Sequence, residues 1–376
     1  MKRIYLSSPH MSDAGYEKEY IKEAFDTNWI APLGENVNQF EEEVASYVGI
    51  KSAAALSSGT AAIHLGLKAA GVSQGDIVFC QSLTFSASAN PIIYEGAIPV
   101  FIDSESDTWN MDPEALETAF QKYPNAKAVV VVNLYGNPAK LIEIKQICDA
   151  HHCVLIEDAA ESLGSKLMNQ ETGSFGDYGI FSFNGNKIIT TSGGGMLVSN
   201  DSEKIEKARF WATQSREKAL HYEHKEIGYN YRMSNICAGI GRGQLRVLDE
   251  RIQQKTNIYQ IYKKELESGG ILSMIPVPVN TEPNHWLSVA VIDAHKTDIT
   301  PVNIVETLQG YNIEARRVWK PMHQQPVFEK YDFIKVAEKS VAEDLFEHGI
   351  CLPSDTKMTE EEQSVIISEL KKILNL

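Results

Sequence analysis

The 376-residue chain has no long apolar run, no excess of positive charge and few cysteines. Apolar runs such as Ala128 to Val132 fall far short of the roughly 20 residues that a bilayer-spanning helix needs. The opening Met1-Lys-Arg-Ile-Tyr-Leu6 has neither the apolar core nor the small-residue cleavage site of a secretory signal. No membrane span and a cytoplasmic location are therefore expected. With 35 Lys and Arg against 50 Asp and Glu, the net charge of −15 disfavours nucleic acid and anionic membranes, both of which are bound through clustered cations. An anionic substrate would have to be met by a local pocket. The five cysteines, Cys80, Cys148, Cys153, Cys237 and Cys351, form no C-x-x-C pair, and only His151 and His152 lie near two of them. They are expected to be buried free thiols, with no metal site.

What is present is enough apolar residue, 43% of the chain, for a large domain and a smaller one. Short β-branched runs alternate with helical stretches through the first half. Ile77–Cys80, Ile98–Ile102, Ala128–Val132 and Cys153–Asp158 read as strands of a largely parallel sheet, with helices at 61–70, 112–122 and 141–151 as crossovers. The runs beginning at Gly179 and Gly195 follow too closely for a helix between them, which predicts an antiparallel strand in a mixed sheet. From about Ser234 to Glu267 the pattern predicts one long linking helix, with Val247, Leu248, Ile252 and Ile258 on one face. Pro276, Pro278 and Pro283 then break the chain. A βαβ-like tail follows, with a strand at 285–292 and an amphipathic terminal helix at 359–376. The expected division is a large domain over residues 1–245 and a linking helix with a small C-terminal domain over 246–376. No repeat or low-complexity segment interrupts this plan.

Lys187 carries the functional reading. It lies in Phe181-Ser-Phe-Asn-Gly-Asn-Lys187, is followed by Ile188-Ile-Thr-Thr-Ser-Gly-Gly-Gly195, and has no charged neighbour. An amine in such surroundings is a candidate nucleophile toward an aldehyde cofactor. A lysine that forms a Schiff base with pyridoxal phosphate needs a carboxylate to keep the ring nitrogen protonated, so that the ring can act as an electron sink. Asp158, 29 residues earlier, ends a strand, and open α/β sheets collect ligands at the carboxyl ends of their strands. An aspartate there also suits a helix cap, and Glu157 and Glu161 are close by; the pairing with Lys187 favours function. Ser57-Ser-Gly-Thr60 opens a helix and suits a phosphate, although capping alone would explain it. Ser182 could add a hydroxyl to that cradle.

Gly59-Thr60-Ala61-Ala62, Thr84-Phe85, Glu157-Asp-Ala-Ala-Glu161, Phe181-Ser-Phe-Asn-Gly-Asn-Lys187 and Gly228-Tyr-Asn-Tyr-Arg-Met-Ser-Asn235 occur in this order. In this the chain resembles, over essentially its whole length, the DegT/DnrJ/EryC1/StrS family of pyridoxal phosphate-dependent nucleotide-sugar aminotransferases. Within it, Asn28–Gly34, Asn184–Gly195, His221–His224, Trp319–His323 and Gly349–Ser354 are similar to enzymes that aminate C4 of UDP-linked 4-keto-6-deoxy-N-acetylglucosamine, used for bacillosamine-type glycans and exopolysaccharide. Many members carry Gly-Glu-Gly-Gly where this chain has Ser192-Gly-Gly-Gly195, so a role for that glutamate does not transfer.

The resemblance implies an α/β, fold-type I aminotransferase: a large domain with a mixed, mostly parallel sheet flanked by helices, and a smaller C-terminal α+β domain. It implies that Lys187 bonds the cofactor and moves a proton, and that Asp158 pairs with the ring nitrogen. Gly59, Thr60 and Ser182 would hold the phosphate, Phe85 would stack on the ring, and Glu161 would lie near the ring hydroxyl. Asn230 would reach the phosphate of the partner subunit in a homodimer with shared sites. Arg216, Arg232, Arg316, Arg317, Lys320 and His323 are candidates for the diphosphate or the carboxylates of L-glutamate. Among these Arg316 and His323 rank first by motif position, with Trp29 as a further substrate contact. Arg317 stands where related chains have proline. Alternatives are another nucleotide keto-sugar, such as GDP-4-keto-6-deoxymannose or a C3-keto sugar, or a non-catalytic regulatory protein on the same scaffold. A dehydratase is disfavoured, because that branch replaces the lysine by histidine.

Overall fold

Alternating short strands and crossover-length helices assemble as their pattern demands. The computed structural model describes residues 2–376. Its main sheet has eight strands in the order Ser52–Leu56, Gly195–Ser199, Tyr178–Ser182, Val154–Asp158, Ala128–Val132, Ile77–Gln81, Ile98–Ile102 and Phe333–Ile334. Tyr178–Ser182 through Phe333–Ile334 run parallel, whereas Gly195–Ser199 is antiparallel to both its neighbours. The expected antiparallel strand is thus present. Ala128–Val132 is buried on both faces, as in a parallel sheet covered by helices on each side.

The crossover helices start on side-chain caps. Ser58 caps Gly59–Ala69, and Asp112, followed by Pro113 in the first turn, caps Pro113–Lys122. Helix Gly59–Ala69 packs its Gly66 over Leu197 and Ile180 of the sheet.

One expectation is corrected. The stretch from Ser234 to Glu267 forms two helices, Asn235–Leu245 and Leu248–Leu266, and the chain leaves helical geometry at Val247. The first is fixed by tight contacts: a Cβ on Gly241 would sit 2.5 Å from the Phe40 ring, and one on Gly243 2.5 Å from the Glu17 amide. The second buries Leu248, Tyr259 and Tyr262 in the core that the C-terminal strands share. Each helix therefore follows its own packing partner, which hydrophobic periodicity alone does not register. The tail contains a split βαβ unit, as expected. Leu272–Met274, Ser288–Ile292, Gly349–Leu352 and Arg316–Arg317 form a separate sheet in that order with every pairing antiparallel. Ser288–Ile292 and Arg316–Arg317 are both antiparallel to Gly349–Leu352 and therefore parallel to each other, and helix Pro301–Gly310 joins them.

The terminal helix is Glu360–Leu374, opened by a Thr359/Glu362 capping box. Phe333–Ile334 leaves the small sheet's part of the chain to join the edge of the large sheet. All five cysteines are free. Among the described residues, no helix is long and apolar enough to cross a membrane, and no group of three or more His, Cys, Asp and Glu could hold a metal ion.

Candidate active site

Adjacent residues of a strand face opposite ways, and this separates Glu157 from Asp158. The Glu157 carboxylate accepts from Asn133 Nδ2 (2.9 Å) and from the amides of Gly173 (2.6 Å) and Phe175 (3.0 Å), a fully buried tie between loops. Asp158 faces a cavity of about 420 Å³ at the carboxyl ends of the central strands. Its Oδ2 accepts from Ser88 Oγ at 2.7 Å and its Oδ1 from the Ala160 amide at 3.1 Å. Ser88 is oriented in turn by Thr84 Oγ1 at 2.8 Å. Burial pushes the Asp158 pKa up, and the bonds from Ser88 and Ala160 and the charge of Lys187 oppose it. A buried carboxylate with this little compensation favours a cationic N–H partner in the cavity.

Lys187 enters the same cavity. Buried Ile188 and Ile189 anchor its loop, and the bonds Phe183 N to Gly194 O and Thr191 N to Phe183 O close it. The Lys187 Nζ lies 3.4 Å from Glu161 Oε1 and 4.0 Å from the centre of the Trp286 ring. Glu161 is buried, its Oε2 accepts from the Tyr135 amide at 2.7 Å, and burial pushes its pKa up to about 7 against the pull of Lys187. Tyr135 holds a left-handed backbone (φ 56°), a strained conformation that aims its amide at the carboxylate.

The third wall is the start of helix Gly59–Ala69. Ser58 Oγ caps the Ala61 amide and Ser58 O accepts from Ala62, which leaves the Gly59 and Thr60 amides without a partner among the described residues at the positive end of the helix dipole. Ser182 lies against this turn: a Cβ on Gly59 would stand 3.0 Å from Ser182 Cβ. Gly195 lets the neighbouring strand pass beneath, since a Cβ there would fall 2.3 Å from Ser58 C and 2.4 Å from Gly59 N. Phe85, 58% exposed, presents its ring to the cavity. An anion cradle, an aromatic face, a buried carboxylate and an amine around one space fit a flat, phosphorylated, aldehyde-bearing pyridine.

The structure thus brings Lys187, Asp158, Glu161, Gly59, Thr60, Ser182, Phe85 and Arg316 to one cavity. Arg316 is exposed and held by Glu314 at 2.7 Å. His323 is engaged elsewhere, bonded to Ser82 Oγ (2.7 Å) and Glu343 (3.0 Å) and stacked on Phe333. Trp29 is exposed beside Gly34 and Asn235, outside the cavity. Asn230 is exposed at the base of the arm 214–230, also outside it within one chain. Arg232 serves the scaffold, donating to Glu41 Oε1 (2.6 Å) and Ala55 O (3.0 Å). The Arg317 side chain packs on the Phe346 ring at 4.0 Å and donates to Phe346 O. That gives this residue a packing role.

Sequence reasoning missed Ser88, Tyr135 and Trp286. Ser88 stands four residues after Thr84, a spacing that puts both hydroxyls on one face of a turn, and this was its only signal. Tyr135 and Trp286 gave none, being core aromatics in apolar runs.

Residues 12–371 match the model of the DegT/DnrJ/EryC1/StrS aminotransferase family. The chain is 55% identical to EpsN of Bacillus subtilis over 98% of its own length and 95% of that protein's. It is 37% identical to the GDP-perosamine synthase of Escherichia coli O157:H7 over 99% of both. A crystal structure of a DegT DnrJ EryC1 StrS aminotransferase from Brucella abortus superposes with a TM-score of 0.86 at 26% identity, covering 96% of this chain and 95% of that one.

Proposed function

The chain belongs to the DegT/DnrJ/EryC1/StrS aminotransferase family, with its fold-type I architecture and pyridoxal phosphate cofactor, and we propose that it transfers the amino group of L-glutamate to C4 of UDP-2-acetamido-2,6-dideoxy-4-keto-glucose. The product is UDP-4-amino-4,6-dideoxy-N-acetylglucosamine. One observation carries the amino transfer: Lys187 and the buried Asp158 face one cavity beside the unpartnered amides of Gly59 and Thr60. The choice of sugar is supported by the motifs around Trp29, Lys187 and His323.

When bound, the cofactor supplies an aldehyde that takes up an amine and a ring that accepts electrons. The protein's residues do the rest. Asp158, steadied by Ser88, keeps a proton on the ring nitrogen; Gly59, Thr60 and Ser182 hold the phosphate and Phe85 covers a ring face. Lys187 would move a proton at C4 of the sugar, a role that depends on the phosphate, nitrogen and ring-face contacts holding the cofactor in place. Arg316 at the mouth suits a substrate carboxylate or diphosphate.

In the proposed homodimer, the arm 214–230 exposes Leu220, Tyr222 and Ile227, apolar surface that a second copy would cover, and carries Asn230 toward the partner's phosphate. Light scattering should give twice the chain mass; a fully active monomer would contradict shared sites. Residues 1–245 and 246–376 would act as the large and small domains, with Phe333–Ile334 moving with the large sheet, which crystal structures with and without the aminated sugar should show as two rigid bodies. A cytoplasmic location accompanies this substrate class, and cell fractionation would test it.

The decisive assay couples 2-oxoglutarate formation to the keto-sugar. Wild-type protein should turn over and lose its cofactor colour with glutamate, and Lys187→Ala should do neither. Wild-type rates in that variant would end the proposal. The likeness to a GDP-perosamine synthase favours a second substrate, GDP-4-keto-6-deoxymannose. In competition the UDP sugar should win by kcat/KM, and preference for the GDP sugar would decide for the alternative.

A further inference from the structure

We propose that Trp286 is a positioning residue for Lys187, holding both its ammonium and its backbone whenever the amine is not bonded to the cofactor. This rests on the reading of Lys187 as the cofactor-bearing amine.

The Lys187 Nζ sits 4.0 Å from the centre of the Trp286 ring, well within the range at which an indole face attracts a cation. The same indole donates its Nε1–H to Asn186 O at 2.7 Å, the carbonyl of the peptide that leads into Lys187. One side chain therefore grips the lysine at both ends. The alternative partner, Glu161, is at 3.4 Å, beyond the usual reach of a strong charged hydrogen bond. Burial raises the Glu161 pKa to about 7, so the carboxyl is partly neutral near physiological pH and the indole face does not depend on that proton.

Trp286 is itself fixed from several directions. It is 2% exposed, its amide donates to Asn284 Oδ1 (2.9 Å), and its ring stacks on Tyr135. Its carbonyl accepts from Lys255 Nζ at 2.9 Å, a fully buried amine that also donates to Ser354 O at 2.8 Å. The preceding His285 holds a left-handed φ of 49° while stacked on Tyr259, so local strain is accepted to aim the tryptophan. Asn284 Nδ2 also bonds Glu161 O at 2.9 Å. The segment 284–286 thereby sets lysine and glutamate against each other from the C-terminal half of the chain.

The test is trace acetylation of the full-length protein freed of cofactor, with Lys187 modification read by mass spectrometry against the exposed Lys225. Removing the indole face in Trp286→Leu should speed Lys187 labelling about three- to tenfold, in line with the strength of such contacts. Trp286→Phe keeps a face and should stay within about twofold of wild type. Global replacement of the five tryptophans by fluorinated analogues keeps shape and N–H while weakening the ring's attraction, so labelling should rise with each added fluorine. This series decides the matter even if Trp286→Leu does not fold. Unchanged Lys187 labelling across the fluorinated series overturns the proposal, and so does a lowered Tm in Trp286→Leu with no change in labelling. Because the readout is taken without cofactor, it is independent of the reaction; borohydride reduction of the loaded protein, mapping the modified lysine, tests the underlying role separately.

Discussion

Replacing Glu161 by glutamine should make the cofactor-free protein more stable at pH 8 and leave it nearly unchanged at pH 5. Burial is the largest cause raising this carboxyl from 4.5 to about 7; the Lys187 charge and the Tyr135 amide pull the other way without cancelling it. The folded chain thus binds a proton that the unfolded chain has released between about pH 4.5 and 7. The associated stability is fully present below 4.5 and is lost as pH rises through 7. At 1.36 kcal/mol per pKa unit, the step from 4.5 to about 7 amounts to roughly 3 kcal/mol. Glutamine does not titrate, and its side-chain oxygen can still accept from Tyr135. Urea unfolding at both pH values should therefore show Glu161→Gln within about 1 kcal/mol of wild type at pH 5 and about 2–3 kcal/mol more stable at pH 8. A difference of the same size at both pH values would refute the burial argument.

If Asp158 pairs with the ring nitrogen as proposed, Asp158→Asn should weaken pyridoxal phosphate binding roughly ten- to a hundredfold in a fluorescence titration, the range expected for a charged hydrogen bond; unchanged affinity would mean that Asp158 does not meet the ring. Gly195→Ala places a Cβ 2.3 Å from Ser58 C, so it should displace the helix start, cost about 1–3 kcal/mol by unfolding and loosen the phosphate cradle. Burial lowers the Lys255 pKa to about 7, so the unfolded chain binds the extra proton between about 7 and 10.5 and wild-type stability should rise with pH there. Lys255→Met should lack that rise, measured by urea unfolding at pH 7 and 9.

The strand ends and the crossover helices were legible because each depends on neighbours in sequence, as in the small-residue turn Ser57–Thr60 that opens a helix and the apolar run into Asp158. The pairing of Asp158 with Lys187 was legible because two unusual residues lay where a single cofactor could join them. Asp158 stood out as the strand end, whereas the use of its neighbour Glu157 was hidden; sheet geometry turns Glu157 toward loop amides and Asp158 toward the cavity. The break at Val247 was hidden because helix packing partners are not local properties, and the insertion of Gly349–Leu352 between the two parallel strands of the tail was hidden for the same reason. His323 stood in a well-placed motif yet is spent on Ser82 and Glu343. Trp286 read as one more core aromatic. The sequence alone determined which chemical groups were present and in what order; the tertiary structure decided which of them met, since a contact between residues 100 positions apart depends on how whole elements pack.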